Sequence, residues 1–371
     1  MLVLHDPTTL THQTVELLGS SLIPALESPE RITSILSYLA TTHHEVRTIH
    51  APPEHSPSSP CPPATDGLDL DRLLAITHKA DYLAHLRTVH ASAAAAGLID
   101  TSASLLPECF PPRDLGPSKA PSDPWARLGW FAFDMSSGIG AGTWAATRAT
   151  VLGDGDEENK LSVLALTRPP GHHCTTTQAG GYCYVNNAVV AVAAVRALNG
   201  VNSQIAILDL DFHHGNGTQG VYYEDQDVMY VSLHGKDEYP YYTGAEEEEG
   251  EEPGEGMNVN IPLPVKCSAE RYVEELEGGL RVIDGFQPDC LLVSLGFDTF
   301  HLDPLGGFAL DTPDYKVIGQ RVRRSFRGPA VLLLEGGYVL DRLGPNLGAF
   351  LEGWIVGDRE IWRGGKKWRK K

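Results

Sequence analysis

Five short apolar runs mark the second half of the chain, at residues 161–166, 205–208, 228–233, 290–295 and 330–334, and each ends abruptly in polar groups. Uninterrupted runs of this length read as strands buried on both faces, as in a parallel sheet. Between them, residues 186–198 and 269–286 carry helical periodicity and are long enough to cross from one parallel strand to the next. Earlier, 70–96 has a helical pattern, and 144–152 ends another. Pro/Ser-rich composition at 51–66 and 107–124 predicts surface insertions, because proline neither donates to a ladder nor continues a helix. An acidic insertion is expected at 244–256. Strand and helix alternate, which predicts an α/β fold with a mostly parallel sheet and helices on both faces. One domain is expected over 1–356, followed by a basic tail at 357–371.

Composition narrows the class. The 371 residues are 42% hydrophobic and 21% charged, ample for a core and unlike a disordered chain. A net charge of −19 argues against direct nucleic-acid binding, which needs clustered Lys and Arg, and favours cationic substrates. No run reaches the roughly 20 apolar residues that span a bilayer. Residues 1–6 lack the layout of a signal peptide. The six cysteines are scattered, without the close pairs of a thiolate zinc site or a disulfide scaffold, so an intracellular, reducing setting is expected. The polar loop 153–159 lacks the spaced ligand set of a calcium loop and reads as a solvated turn. The Glu-rich run 246–252 reads likewise as a solvated loop.

The chemistry gathers where the runs end. Arg168 to His173, Asp209 to Gly217, His234-Gly235, Gly296 to Asp298 and Glu335 to Tyr338 each follow a strand. In open α/β sheets the carboxyl ends of parallel strands form the ligand crevice, so these segments converge. Asp211 and His213, two apart on an extended chain, face a common point. Asp298, after its own strand, completes a set of one imidazole and two carboxylates, which suits catalytic zinc with a position open for water, while the ligand types also admit iron or another divalent ion. Buried carboxylates beside imidazoles are costly without a cation. His172 and His173 can divide the acid and base tasks of hydrolysis, and Tyr338, after two glycines, can donate to an oxyanion.

These motifs closely resemble the zinc-dependent histone deacetylase superfamily, particularly its acetylpolyamine amidohydrolase-like and class II-like members. The resemblance runs from about Leu18 to Trp354 through Glu27 to Arg31, Thr77 to Leu83, Gly171-His172-His173, Gly180 to Cys183, Asp209 to Gly217, Asp303 to Gly307 and Glu335 to Tyr338. It implies an arginase/deacetylase-type three-layer α/β/α sandwich with Asp211, His213 and Asp298 as zinc ligands. His173 is implied as general base and acid, His172 as its electrostatic support oriented by Asp209, and Tyr338 as the group that polarises the carbonyl. Asn216 stands where some relatives carry aspartate, so it orients His173 without a charge and shifts the pH optimum. A structural potassium ion is implied near Asp209 and His213, with Ser232 and Leu233 contributing oxygens. Gly181 and Tyr182 match one wall of an acyl-lysine tunnel, and Tyr239 to Tyr242 another. The implied activity is removal of acetyl groups from N-acetylated amines, either acetyl-lysine in proteins, including histones, or acetylpolyamines. An acetyl-amine-binding or chromatin-scaffold protein is the alternative. The setting is cytoplasmic or nuclear, and a homodimer is left open.

Overall fold

The computed structural model describes residues 1–42, 44–52, 54, 68–112, 119–150 and 162–363. Most of the 51–66 insertion, the middle of the 107–124 insertion, the 153–159 loop and the tail from 364 onward lie outside the described residues. Among the described residues ten strands occur, in chain order: β1 (Leu2–His5), β2 (Val15–Leu18), β3 (Ser21–Pro24), β4 (Val46–Thr48), β5 (Ser162–Ala165), β6 (Ile205–Asp209), β7 (Val228–Gly235), β8 (Asn258–Leu263), β9 (Cys290–Leu295) and β10 (Ala330–Leu334). Eight form one sheet in the order β4-β1-β5-β10-β9-β6-β7-β8, every pair parallel, while β2 and β3 make a separate antiparallel hairpin.

The strand faces explain the layers. Ala206 and Leu208 of β6 pack with helix residues such as Leu276, Ile318 and Leu347 in one core. Ile205 and Ile207, pointing the other way, pack with Ala188, Val189 and Val192 in a second. Helices therefore cover both faces, as the alternation of elements predicts. The crossover helices fall at Asn187–Asn199 and Ala269–Phe286. Asn186 and Ser268 cap them by accepting the N–H groups of Val189 and Arg271.

One expectation needs adjustment. The 70–96 pattern is two helices, Leu70–Thr77 and Ala80–Ala95. They part where the Asn186 N–H donates to His78 Nε2 at 3.1 Å and the Lys79 N–H donates to Thr176 at 2.9 Å, so tertiary bonds break a continuous local pattern. The last helix spans Leu340–Arg363.

Buried neutral histidines make the fold sensitive to acid. Burial pushes His12 and His78 down to about 4 and His85 down to about 3. Each is neutral when folded but takes a proton near pH 6.5 when unfolded, so the unfolded chain binds more protons below that pH. Stability should fall as pH drops from about 6.5 to 4, with a limiting slope of about 1.4 kcal/mol per pH unit for each histidine. Urea midpoints at pH 7 and pH 5 measure this; equal midpoints would contradict it.

Candidate active site

β6 ends at Asp209, and the ligand-bearing residues lie just beyond it on a bend. Asp211 and His213 do face one point, though by a turn rather than by strand alternation. The Asp211 Oδ1 atom accepts the His213 N–H at 2.9 Å and folds the chain over, while Leu210 still donates to Ser294 of β9 at 2.8 Å. Asp298, three residues after β9, reaches in from the neighbouring strand. Its Oδ1 accepts the Phe212 N–H at 2.9 Å and its Oδ2 lies 3.0 Å from His213 Nδ1. All three side chains are buried, with ligand atoms within 4.8 Å of one another.

The hydrogen-bond inventory of His213 tests whether a cation fits. Nε2 lies 3.0 Å from the Leu305 carbonyl, which can only accept, so Nε2 carries a proton. Nδ1 faces Asp298 Oδ2 at 3.0 Å and Asp211 Oδ1 at 3.3 Å, again acceptors only. A positive occupant, proton or metal, is required between them. A tetrahedral ion with bonds of about 2.0–2.1 Å needs ligand atoms ~3.3 Å apart; His213 Nδ1 lies 3.3 and 3.0 Å from the two carboxylates, and the three ligand atoms lie within 4.8 Å of one another. Charge points the same way. Burial and the Asp211 carboxylate push Asp298 up to about 7. Burial would raise Asp211 also, but His172 and His213 hold it below the usual carboxylate range. Gly336 allows the close approach, since a Cβ there would stand 2.2 Å from Asp298 Oδ2; its N–H donates to Asp211 Oδ2 at 2.7 Å.

Beside the cluster, the His172 and His173 rings lie 4.0 Å apart between centroids. Burial opposes a charged His172, but Asp211 and Asp209 outweigh it and hold the ring up at about 10. Its Nδ1 lies 3.2 Å from Asp209 Oδ2, which also accepts the Tyr230 hydroxyl at 2.9 Å. His173 is the opposite case. Burial and the neighbouring His172 and His213 hold it well below the ordinary histidine value. Its Nδ1 donates to Asn216 Oδ1 at 2.8 Å, which leaves Nε2 to accept a proton. Two adjacent imidazoles thus differ in charge because one has carboxylate partners and the other a neutral amide.

Tyr338 follows β10. Its N–H donates to Asp303 Oδ2 at 2.7 Å, and the Arg31 guanidinium lies 5.1 Å from its ring centroid. Arg31 is fixed by Glu27 at 2.8 Å, by the Gly337 carbonyl at 2.7 Å and by the Glu335 carbonyl. Among the described residues, none accepts from the Tyr338 hydroxyl. Gly181 and Tyr182 flank the centre: Gly181 has φ +55°, and a Cβ there would meet the His173 ring at 2.2 Å. Tyr239 sets its ring edge-on to His173 at 4.9 Å, whereas Tyr241 and Tyr242 are exposed. Ser232 pairs in register with Asp209 across β6 and β7, and Leu233 follows it. The residues singled out from the sequence therefore gather in one region, with Tyr241, though exposed, set edge-on to Tyr239 at 5.9 Å between ring centroids.

Several contributors were not given roles by sequence reasoning. Glu335 Oε2 accepts the N–H groups of Gly171 and His172 at 2.7 and 3.3 Å and so anchors the histidine turn. Asp303 links Tyr338 to the Leu305 turn that holds His213. Glu16, on β2, accepts the Tyr182 hydroxyl, and Asp134 accepts that of Tyr239 at 2.6 Å. Within the Glu-rich run, Glu248 is not merely solvated, because its Oε2 accepts from Gln219 at 2.6 Å and from the Gly244 N–H at 2.8 Å.

Comparison with known proteins agrees with this geometry. The family described as Histone deacetylase domain matches residues 25–353. Acetylpolyamine amidohydrolase 2 of Pseudomonas aeruginosa is 36% identical over 94% of this chain and 97% of its own. Acetylpolyamine amidohydrolase of Mycoplana ramosa is 34% identical over 93% and 96%. The crystal structure of an acetylpolyamine aminohydrolase from Burkholderia pseudomallei superposes with a TM-score of 0.82 at 29% identity, covering 96% of this chain and 99% of that one. With the fold, the acid and imidazole cluster and these matches in agreement, the chain belongs to the histone deacetylase family of zinc-dependent amide hydrolases.

Proposed function

We propose that this site hydrolyses the acetamide of N-acetylated primary amines, with acetylpolyamines as the favoured class. The observation that carries the reading is the buried Asp211, His213 and Asp298 cluster beside a histidine pair, one ring held by the Asp209 carboxylate and the other by the neutral amide of Asn216. Those three side chains would hold zinc, which as a Lewis acid polarises a carbonyl and acidifies water. His173, neutral with Nε2 free, takes a proton from the attacking water and passes it to the departing amine. His172, held by the Asp209 carboxylate at 3.2 Å and packed against the His173 ring, supports that proton transfer electrostatically. Tyr338 donates its hydroxyl to the carbonyl oxygen as it becomes anionic. Burial holds that phenol well above its ordinary pKa, so it remains a donor at neutral pH.

The near-full-length relatives named for acetylpolyamines favour that class, as does a net charge of −19. Nothing in the relatives supports a binding-only scaffold. Potassium near Asp209, His213, Ser232 and Leu233 remains a proposal, supported by the register of Asp209 with Ser232. A single catalytic domain over 1–356 is likewise proposed. Among the described residues no helix is long and apolar enough to cross a membrane. An intracellular setting fits the five described cysteines, all free.

The test is acetate release from acetylputrescine, acetylspermidine and an acetyl-lysine peptide, side by side, with zinc-loaded protein. Acetylpolyamines should exceed the peptide in kcat/KM by about 10-fold or more, the equivalent of roughly one lost charge-assisted contact. Preference for the peptide would reverse the substrate assignment, and no release from any of the three would overturn the hydrolase.

A further inference from the structure

The two walls beside His173 come from separate parts of the chain. One is the turn at 179–183, zipped to residues 131–134: the Phe133 N–H donates to the Ala179 carbonyl at 3.0 Å, the Ala179 N–H donates to the Phe131 carbonyl at 2.8 Å, and the Phe133 ring fills the space a Gly180 side chain would need. The other is the 236–244 loop after β7, which carries Tyr239. The carboxylate of Asp134 joins them. Its Oδ2 accepts the Gly181 N–H at 2.9 Å and the Tyr239 hydroxyl at 2.6 Å, while Ser136 binds Oδ1 through its N–H at 3.0 Å and Oδ2 through its hydroxyl at 2.6 Å. The Tyr239 ring is meanwhile stacked on Phe133 at 6.4 Å and set edge-on to both His173 and His213.

We propose that Asp134 is a positioning residue, a strap that ties the Tyr239 wall to the Gly181 wall and fixes the width of the tunnel beside His173. A phenol needs no hydroxyl to serve as an apolar wall, so the tether sets where the ring stands rather than what it is. Asp134 can do this because Ser136 fixes the carboxylate from both oxygens, and because hydrogen bonds to a charged acceptor are among the stronger ones. Gly181 has no side chain to wedge the walls apart, so the spacing depends on this polar bridge. The inference rests on the deacetylase reading for the identity of the tunnel, and it deepens that reading by naming what limits the acyl group and stem.

Tyr239→Phe removes one hydroxyl and leaves the ring and the Asp134 charge in place. In zinc-loaded full-length protein, KM for a slender N-acetyl diamine should rise roughly 10-fold with kcat within about twofold, the size of one lost bond to a charged acceptor. Preference for acetyl over a bulkier acyl group should narrow by a similar factor. A second readout needs no turnover. Amide hydrogen exchange across 236–244 should speed up in Tyr239→Phe while Gly181 stays protected, whereas Asp134→Ala should release both. Unchanged KM, acyl preference and exchange in Tyr239→Phe would overturn the strap. So would a silent Tyr239→Phe beside an Asp134→Asn that weakens only cationic substrates, because Asp134 would then recognise charge instead. If no N-acetyl amine is hydrolysed, the deacetylase reading fails, and the exchange experiment still decides the strap.

Discussion

Tyr338→Phe is expected to lower kcat by about 100- to 1,000-fold, the range found when one oxyanion donor is removed, while metal content stays at the wild-type level. The substitution deletes one oxygen and little else. The ring keeps its place against Arg31, 5.1 Å from the guanidinium, and beside Tyr182 at 5.8 Å between centroids. The backbone bond to Asp303 is untouched. No metal-cluster atom loses a partner, because the described residues include none bonded to the Tyr338 hydroxyl. A loss of kcat with intact metal and an unchanged melting temperature therefore isolates the donor. Activity within a few-fold of wild type would sink the oxyanion role and shift that task to the remaining polar groups. The Arg31 arrangement gives the assignment weight. A fully buried guanidinium, held by Glu27 and two carbonyls, is costly unless its position matters, and here it braces the ring that must meet the substrate.

The sheet was legible where burial is two-sided. β5, β6, β7, β9 and β10 are nearly continuous apolar runs because helices cover both faces, and such runs announce themselves. The outer strands do not. β8 reads Asn-Val-Asn-Ile-Pro-Leu, since Asn258 and Asn260 turn inward to Gln219 and Glu248 rather than to an apolar layer. β1 and β4 have four and three residues, too short for a periodicity to register. The β2–β3 hairpin keeps Leu17 and Leu22 exposed while burying the polar Glu16, so it does not read as an apolar strand pattern. The same division holds at the site. Asp211, His213, Asp298, His172, His173 and Tyr338 follow inner strands, so parallel topology alone brings them together. Glu16 and Asp134 arrive on the hairpin and on an irregular segment, whose routes depend on tertiary contacts. Their one sequence signal was a carboxylate beside apolar neighbours in stretches given no element. Glu335 is a third such case: the Glu-Gly-Gly-Tyr sequence points to its tyrosine, whereas the anchoring of the histidine turn by the glutamate depends on strands β5 and β10 lying side by side.

Asp298→Ala should abolish metal binding and, with it, turnover. Two effects of that substitution must be separated. One carboxylate leaves a cluster in which His213 Nδ1 has acceptors on both sides, and the charge that attracts a divalent cation falls by half. The Phe212 N–H, which donates to Asp298 Oδ1 at 2.9 Å, also loses its partner deep in the fold. An orphaned buried donor costs about 1–3 kcal/mol, so the alanine variant is expected to melt earlier for a reason unrelated to the metal. Asp298→Asn resolves the ambiguity. Its amide oxygen still accepts from Phe212 and its volume is unchanged, so the fold is preserved while the charge is gone. Disturbing a group that merely supports a ligand weakens metal binding by about 10- to 100-fold, and removing the charge of a ligand should exceed the upper end of that range. Elemental analysis after dialysis should find one zinc per chain in wild type and Tyr338→Phe, and less than about a tenth of that in Asp298→Asn, given such a loss of affinity. An asparagine variant that folds and retains stoichiometric zinc would remove Asp298 from the ligand set. The cluster would then be a buried ion pair around a protonated His213, because Nδ1 cannot face Asp211 and Asp298 without a positive charge between them.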